Sequence, residues 1–242
     1  MVAGNCNDRP SLQELKIKNC GITGKWLSQM LQHVQGVQNR NDGQANENDY
    51  SLETTLPCFL GKPIRLKKIV VEESPSLKFL QLKSCTALEH LKIQGCASLA
   101  TLEGLQFLLA LRHLEVYRCP SLLPYWESLS GQGYDLCPRL ERLNIDDPFI
   151  LYTSFCKHLT SLQELRFWFC TNLIDLPTAL HSLPSLKRLE ICSCWSIARL
   201  PEKGLPPSLE ELDIDDCKEE LAQQCRTLPS TLKVKIDGTY VN

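Results

Sequence analysis

One string recurs along this chain and restricts its fold more than any other feature: Leu-x-x-Leu-x-(Ile/Leu/Val/Phe)-x-x-Cys. It reads Leu12, Leu15, Ile17, Cys20 near the N-terminus, then Leu88, Leu91, Ile93, Cys96 and Leu111, Leu114, Val116, Cys119. Leu162, Leu165, Phe167, Cys170, then Leu186, Leu189, Ile191, Cys194 and Leu209, Leu212, Ile214, Cys217 complete the series. Two further units, Leu66, Ile69, Val71, Ser74 and Leu140, Leu143, Ile145, Pro148, have another residue in place of the cysteine. From Leu66 onward the first leucines follow at intervals of 22, 23, 29, 22, 24 and 23 residues.

A period of about 20 to 29 residues is that of leucine-rich repeats, in which a single unit cannot bury its own apolar face and stacked units share one core. The expected fold class is therefore α/β, as a leucine-rich-repeat solenoid or horseshoe. A parallel sheet lines its concave face, and its convex face is irregular or short-helical. The whole of 1–242 reads as one domain of about nine repeats. Within each string the period of two sends the leucines and isoleucines inward and their neighbours outward. The cysteine falls where the chain leaves the strand, where a thiol packs as a small apolar group and donates weakly to a turn carbonyl. Leu77, Leu80, Leu82, Cys85 fit the string too, but only 11 residues after Leu66. Eleven residues are too few for a coil, so this segment is assigned to the convex side of the Leu66 unit. Apolar residues at the same offset in other units, Leu99, Leu122, Leu173 and Ile197, support the assignment.

Three stretches break the rhythm. Trp26, Leu27, Met30, Leu31 and Val34 have helical spacing. Residues 36–53, with NRNDGQANEND inside them, are nearly devoid of apolar side chains and read as a flexible insertion; Pro57 to Pro63 begins the next coil. Residues 124–138, with Gly131 and Gly133, read as a loop insertion bulging from the convex or edge face. At the other end Leu232, Val234 and Ile236 alternate as a last capping strand, whereas no cap is evident before Leu12; that edge is expected to continue or to meet a partner.

Composition narrows the function. The net charge is -2, so no basic excess points to nucleic acid. No apolar run approaches the roughly 18 to 20 residues of a membrane span, and no secretory leader is evident. Thirteen cysteines, an odd number, occur without any Asn-x-Ser/Thr sequon, which points to free thiols in a reducing, cytoplasmic compartment. Gly24-Lys25 and Gly61-Lys62 lack the rest of a phosphate-binding loop, and neither a Gly-x-Ser-x-Gly nor a His-Glu-x-x-His string occurs. His90 and His113 hold equivalent places in adjacent units, but Lys68 and Arg142 flank them and disfavour a cation. Cys192 and Cys194 point to opposite faces of a strand and cannot chelate together. No metal, no cofactor and no enzymatic role are expected.

SLKFLQLKSCTALEHLKIQGCASLATLEGLQ and LTSLQELRFWFCTNLIDLPTALHSLPSLKRLEICSCWSIARLPEKGLPPSLEELDIDDC resemble the C-terminal repeats of plant intracellular nucleotide-binding leucine-rich-repeat (NBS-LRR) disease resistance proteins. The likeness lies in the cysteine at the strand exit and the Leu-x-x-Leu-Pro phrase after it, as in Leu173, Leu176, Pro177 and Ile197, Leu200, Pro201. It runs from about Pro57 to Cys217 and more loosely from Pro10. The resemblance implies a module that senses a pathogen effector or a guarded host protein and helps hold a nucleotide-binding domain inactive. The chain itself lacks that domain's Walker motif. Two other readings remain: a substrate adaptor for ubiquitin ligation, hinted at by NCGITGKWLSQML, and a free-standing repeat scaffold.

Candidate contact residues follow from the outward positions. The place after the third core residue reads Lys18, Glu72, Gln94, Tyr117, Asp146, Trp168, Cys192, Asp215, and the next reads Asn19, Glu73, Gly95, Arg118, Asp147, Phe169, Ser193, Asp216. Tyr117, Arg118, Trp168 and Phe169 are expected to cluster mid-array as a partner's anchor, since exposed Tyr, Trp and Arg dominate interface energy. Partial packing on flanking loops is the competing reading. Glu210, Glu211, Asp213, Asp215 and Asp216, with Asp146 and Asp147, are expected to form an acidic block that repels itself and favours a basic surface.

Overall fold

The computed structural model describes residues 13–18, 27, 29, 31, 65–122, 125, 137–146, 159–171 and 173–242. Its main element is a ten-stranded sheet. The strands are β1 (Glu14–Lys18), β2 (Lys68–Glu72), β4 (His90–Gln94), β6 (His113–Tyr117), β7 (Arg142–Ile145), β8 (Glu164–Trp168), β9 (Arg188–Cys192), β10 (Glu211–Asp215), β11 (Lys233–Ile236) and β12 (Thr239–Tyr240). Spatial order follows chain order, and all pairs from β1 to β11 are parallel. Parallel neighbours oblige the chain to return to the starting edge between strands.

The leucine string explains the register. Leu91 stands beside Leu114 and Ile93 beside Val116, and the same columns run through Leu143, Leu165 and Leu189. These residues are buried and form one continuous cluster. Replacing one such leucine by alanine costs about 2–5 kcal/mol, whereas an exposed ion pair contributes about 0–1 kcal/mol. The leucine columns, not the surface charges, therefore decide stability.

On the return path, β3 (Phe79–Gln81) pairs with β5 (Thr101–Glu103) in a separate two-stranded sheet. Leu77, Leu80, Leu82 and Cys85 are all buried, so this segment lies off the main sheet, as its short offset requires. At four strand exits the cysteine carbonyl accepts the amide three residues on: Leu99 on Cys96 at 3.0 Å, Leu122 on Cys119 at 3.1 Å, Leu173 on Cys170 at 3.2 Å and Ile197 on Cys194 at 3.3 Å. The thiols donate back to the strand they have just left, Cys119 to the Tyr117 carbonyl at 3.2 Å and Cys194 to the Cys192 carbonyl at 3.3 Å. A second device recurs beside the turns. Ser121 donates to the Ala97 carbonyl at 2.7 Å, Ser161 to Pro138 at 2.9 Å and Ser185 to Thr160 at 2.7 Å, each tying one coil to the one before.

Leu27 and Leu31 are helical and buried, which fits the spacing read between Trp26 and Val34. Residues 36–53 and Pro57–Pro63 lie outside the described residues. Of the insertion at 124–138, half-buried Tyr125 donates its hydroxyl to the Leu102 carbonyl, and the Cys137 thiol lies 4.0 Å from the Leu105 carbonyl, so both anchor on the return path. The alternation Leu232, Val234, Ile236 becomes β11, and β12 folds back on it antiparallel. A helix, Glu219–Arg226, was not foreseen from the sequence. Leu221, Ala222 and Cys225 are its buried face, and Glu219, Glu220 at its start and Arg226 at its end suit the helix dipole. Its Gln224 side chain donates to Ala198 O at 3.0 Å and accepts from Leu200 N at 3.1 Å, locking the helix to the preceding coil.

Candidate functional site

The outward side chains make rows across the open face of the sheet. In the last row of the strands, Lys18 stands beside Glu72, Glu72 beside Gln94 and Gln94 beside Tyr117; beyond β7, Trp168 stands beside Cys192 and Cys192 beside Asp215. The residue that follows does not alternate inward. Glu73, Arg118, Phe169, Ser193, Asp216 and Asp237 all have φ between 46° and 54°, and Gly95 has φ 68°. This left-handed step turns the chain out of the sheet before the buried cysteine. Several coils thus present two consecutive side chains at the exit end, one by pleat and one by turn, as Trp168 with Phe169 and Asp215 with Asp216 do; Ser193 is buried and Gly95 has no side chain.

Tyr117, Trp168 and Phe169 come together there. Ring centroids lie 6.0 Å apart from Tyr117 to Trp168 and 5.9 Å from Trp168 to Phe169, within the range of favourable aromatic pairs. The strip continues to Trp195, edge-on to Phe169 at 6.2 Å. Trp168 is 38% exposed, Phe169 54% and Trp195 47%, so each ring is partly packed and partly open to solvent. Tyr117 is half-buried, and burial next to the Glu115 carboxylate pushes its hydroxyl above the ordinary tyrosine range, keeping it neutral. Trp195 was missed because it follows the cysteine, one place beyond the two rows read from the strand pattern. The signal was a tryptophan where the other units have Ala97, Pro120, Thr171 and Lys218.

Arg118 is corrected. Its guanidinium pairs with Glu73, and the cation found over a ring of the strip is another residue, while its backbone N–H donates to Asp146 Oδ2. The cation at the strip is Arg166, 6.0 Å from the Trp168 ring centre and 2.5 Å from Glu190. The acidic block is corrected as well. Glu210 meets Lys187 at 3.2 Å, Glu211 meets Arg188 at 2.6 Å and Asp213 meets Lys235 at 2.8 Å, because the neighbouring strands supply opposite charges. Asp215 and Asp216 remain exposed at the exit end. Asp216 Oδ2 accepts from the Trp195 indole and from the Ser193 hydroxyl, both at 3.0 Å. Asp147 lies outside the described residues.

Nearer the strand starts, a pocket of about 180 Å³ is lined by His90, His113, Glu115, Arg142, Asn144 and Arg166 among others. The open face therefore carries a depression near the strand starts. His90 Nδ1 and His113 Nδ1 are 3.4 Å apart, and His90 Nε2 lies 3.2 Å from Glu115. Burial, helped by the Arg142 and His90 charges, holds His113 below the ordinary histidine range. The His90 contact holds Glu115 below the usual carboxylate range. No group of three His, Cys, Asp or Glu side chains among the described residues is arranged to hold a metal ion. No helix among them is long and apolar enough to cross a membrane. No protein-family model matches the chain.

Proposed function

We propose that this chain is a leucine-rich-repeat solenoid, its parallel sheet lining a concave face. In this reading it is the protein-binding module of a plant intracellular nucleotide-binding leucine-rich-repeat immune receptor. It engages a pathogen effector or a guarded host protein and contributes to holding the receptor inactive in the cytoplasm. The repeat spacing, the strand order and the cysteine-exit phrases support the family reading. The observation that carries the binding role is the run of exposed rings Trp168, Phe169 and Trp195, held at one end of the sheet by a rigid, repeated turn. Large rigid aromatics on a fixed scaffold give contact area at little entropic cost.

The test is co-expression with the nucleotide-binding domain of a related full-length receptor, followed by pull-down at low and high salt, with Trp168→Ala alongside. Association that weakens in Trp168→Ala while the thermal unfolding midpoint is unchanged supports the reading. Absence of association at either salt counts against the receptor-module role.

A further inference from the structure

We infer that the C-terminal end of the aromatic strip receives an arginine-bearing, extended segment of a protein partner, an arginine guanidinium lying on the Phe169 and Trp195 rings and meeting the Asp215 and Asp216 carboxylates. This inference rests on the interface reading above and names the chemistry of the occupant.

The charge pattern of the open face carries the argument. Along its rows each carboxylate is answered by a base on a neighbouring strand: Glu14 by Lys68 at 2.9 Å, Glu164 by Arg142 at 3.0 Å, Glu211 by Arg188 at 2.6 Å, Asp213 by Lys235 at 2.8 Å. At the N-terminal exit end the balance tips the other way, with Lys16, Lys18 and Lys92 all directed at Glu72. The pattern stops at the C-terminal exit end. Among the described residues no lysine or arginine pairs with Asp215, Asp216 or Asp237. Their donors are neutral: the Cys192 thiol 3.6 Å from Asp215, the Ser193 hydroxyl and Trp195 indole on Asp216, and the Asp216 amide on Asp237 at 3.0 Å. Three carboxylates without a cation among the described residues therefore follow one another at this end, and one of them, Asp216, holds the indole of the exposed Trp195.

That combination selects its ligand. A guanidinium stacks on an aromatic face and bonds a carboxylate with two parallel N–H groups, which an ammonium does not reproduce. An acidic segment is repelled by the three carboxylates, and a neutral one leaves them unanswered. The ring spacings of 6.0, 5.9 and 6.2 Å are close to the roughly 7 Å between alternate side chains of an extended chain. An extended segment laid along the rings thus sets alternate residues near successive rings.

The experiment titrates the full chain with acetylated nonapeptides that alternate glycine with arginine, lysine, serine or glutamate, read by tryptophan emission and calorimetry. The arginine peptide is expected to bind best, to shift the emission, and to weaken between about 50 and about 300 mM salt. Asp215→Asn with Asp216→Asn is expected to weaken it about tenfold or more. Since Asp216 also holds Trp195, Asp215→Lys is the second variant: it replaces an exposed carboxylate whose side-chain contact is the Cys192 thiol at 3.6 Å, and is expected to remove arginine-peptide binding with an unchanged circular dichroism spectrum. The inference is overturned by equal binding of the glutamate peptide, by no binding of any peptide, or by variants that bind as the parent does. It is also overturned if the chain self-associates and Asp215→Lys abolishes that, which makes the occupant a second copy. A nucleotide-binding domain whose capture needs Trp168 but ignores Asp215→Lys leaves the interface reading standing and removes only the cationic class.

Discussion

Glu73 and Arg118 join in an ion pair across the coil between them, and the residue beneath that pair is Gly95. A Cβ at position 95 would come within 2.6 Å of Glu73 Oε2. The equivalent places in other coils hold L-residues at positive φ, so the left-handed backbone alone does not demand glycine here. Gly95→Ala is expected to cost about 1–2 kcal/mol, mostly left-handed strain plus the displaced surface pair. Gly95→Asn should cost less, since asparagine tolerates that conformation. Equal losses in urea unfolding would show that displacement of Glu73, not strain, dominates.

Gly104 is the contrasting case. It has φ 92°, and a Cβ there would lie 2.7 Å from the Lys83 backbone nitrogen. Backbone cannot swing aside as a carboxylate can. Gly104→Ala should therefore destabilise by about 2–4 kcal/mol, clearly more than Gly95→Ala. Denaturation of the two variants side by side checks the order.

The buried thiol of Cys194 makes contacts that a hydroxyl can imitate, as Ser74 already does in its own coil by donating to the Glu72 carbonyl at 3.3 Å. Cys194→Ser is expected to cost about 1 kcal/mol, while Cys194→Leu overpacks a fully buried site and costs about 2–3 kcal/mol. Both are measured by urea unfolding at fixed pH. A serine variant as damaged as the leucine variant would mean that apolar character, not donor capacity, is what the site requires.

These cases show what the sequence could reveal. Strand positions were legible because a period of two assigns faces without reference to anything distant, and Leu91 or Ile93 could point nowhere but inward. The off-sheet place of Leu80 was legible because chain length alone forbids a coil of 11 residues. Arg118 was misplaced because its partner, Glu73, is set by which side chain the two coils before it offer. The acidic block lost Glu210, Glu211 and Asp213 for the same reason and kept Asp215 and Asp216: Glu211 and Asp213 look alike along the chain, but Arg188 and Lys235 come from neighbouring strands. Trp195 and the Glu219–Arg226 helix lie just past the repeated string, where no periodicity speaks for them.

His113 gives stability a dependence on pH with a defined sign. Its folded pKa lies below the ordinary 6.5 through burial, with Arg142 and His90 adding to the effect and Glu141 and Glu164 opposing it. Above about pH 7 the ring is neutral in both states and contributes no dependence. As pH falls through 6.5 the unfolded chain takes the proton first, so stability drops until the folded ring also titrates. Glu72 and Glu115, both held below their ordinary 4.5, lose their stabilising share only at lower pH. The urea midpoint should fall between about pH 7.5 and pH 5.5, and His113→Gln should flatten that fall. An unchanged slope in the variant would assign the effect to another group.

Phe169 separates binding from stability. A phenylalanine at φ 54° is in a conformation that costs an L-residue about 1–2 kcal/mol, and it leaves more than half of its surface in water. What it gains in return is contact with Trp168 and Trp195, each such ring pair worth about 0.5–1.5 kcal/mol. Those terms nearly cancel. Phe169→Asn relieves the strain and loses the rings, so the net change in unfolding free energy should be under about 1 kcal/mol. Affinity for whatever occupies the strip should fall by about tenfold or more, because an exposed ring at the centre of a contact is where interface energy concentrates. If Phe169→Asn instead destabilises by several kcal/mol and leaves binding intact, the ring belongs to the fold and the centre of the contact lies elsewhere.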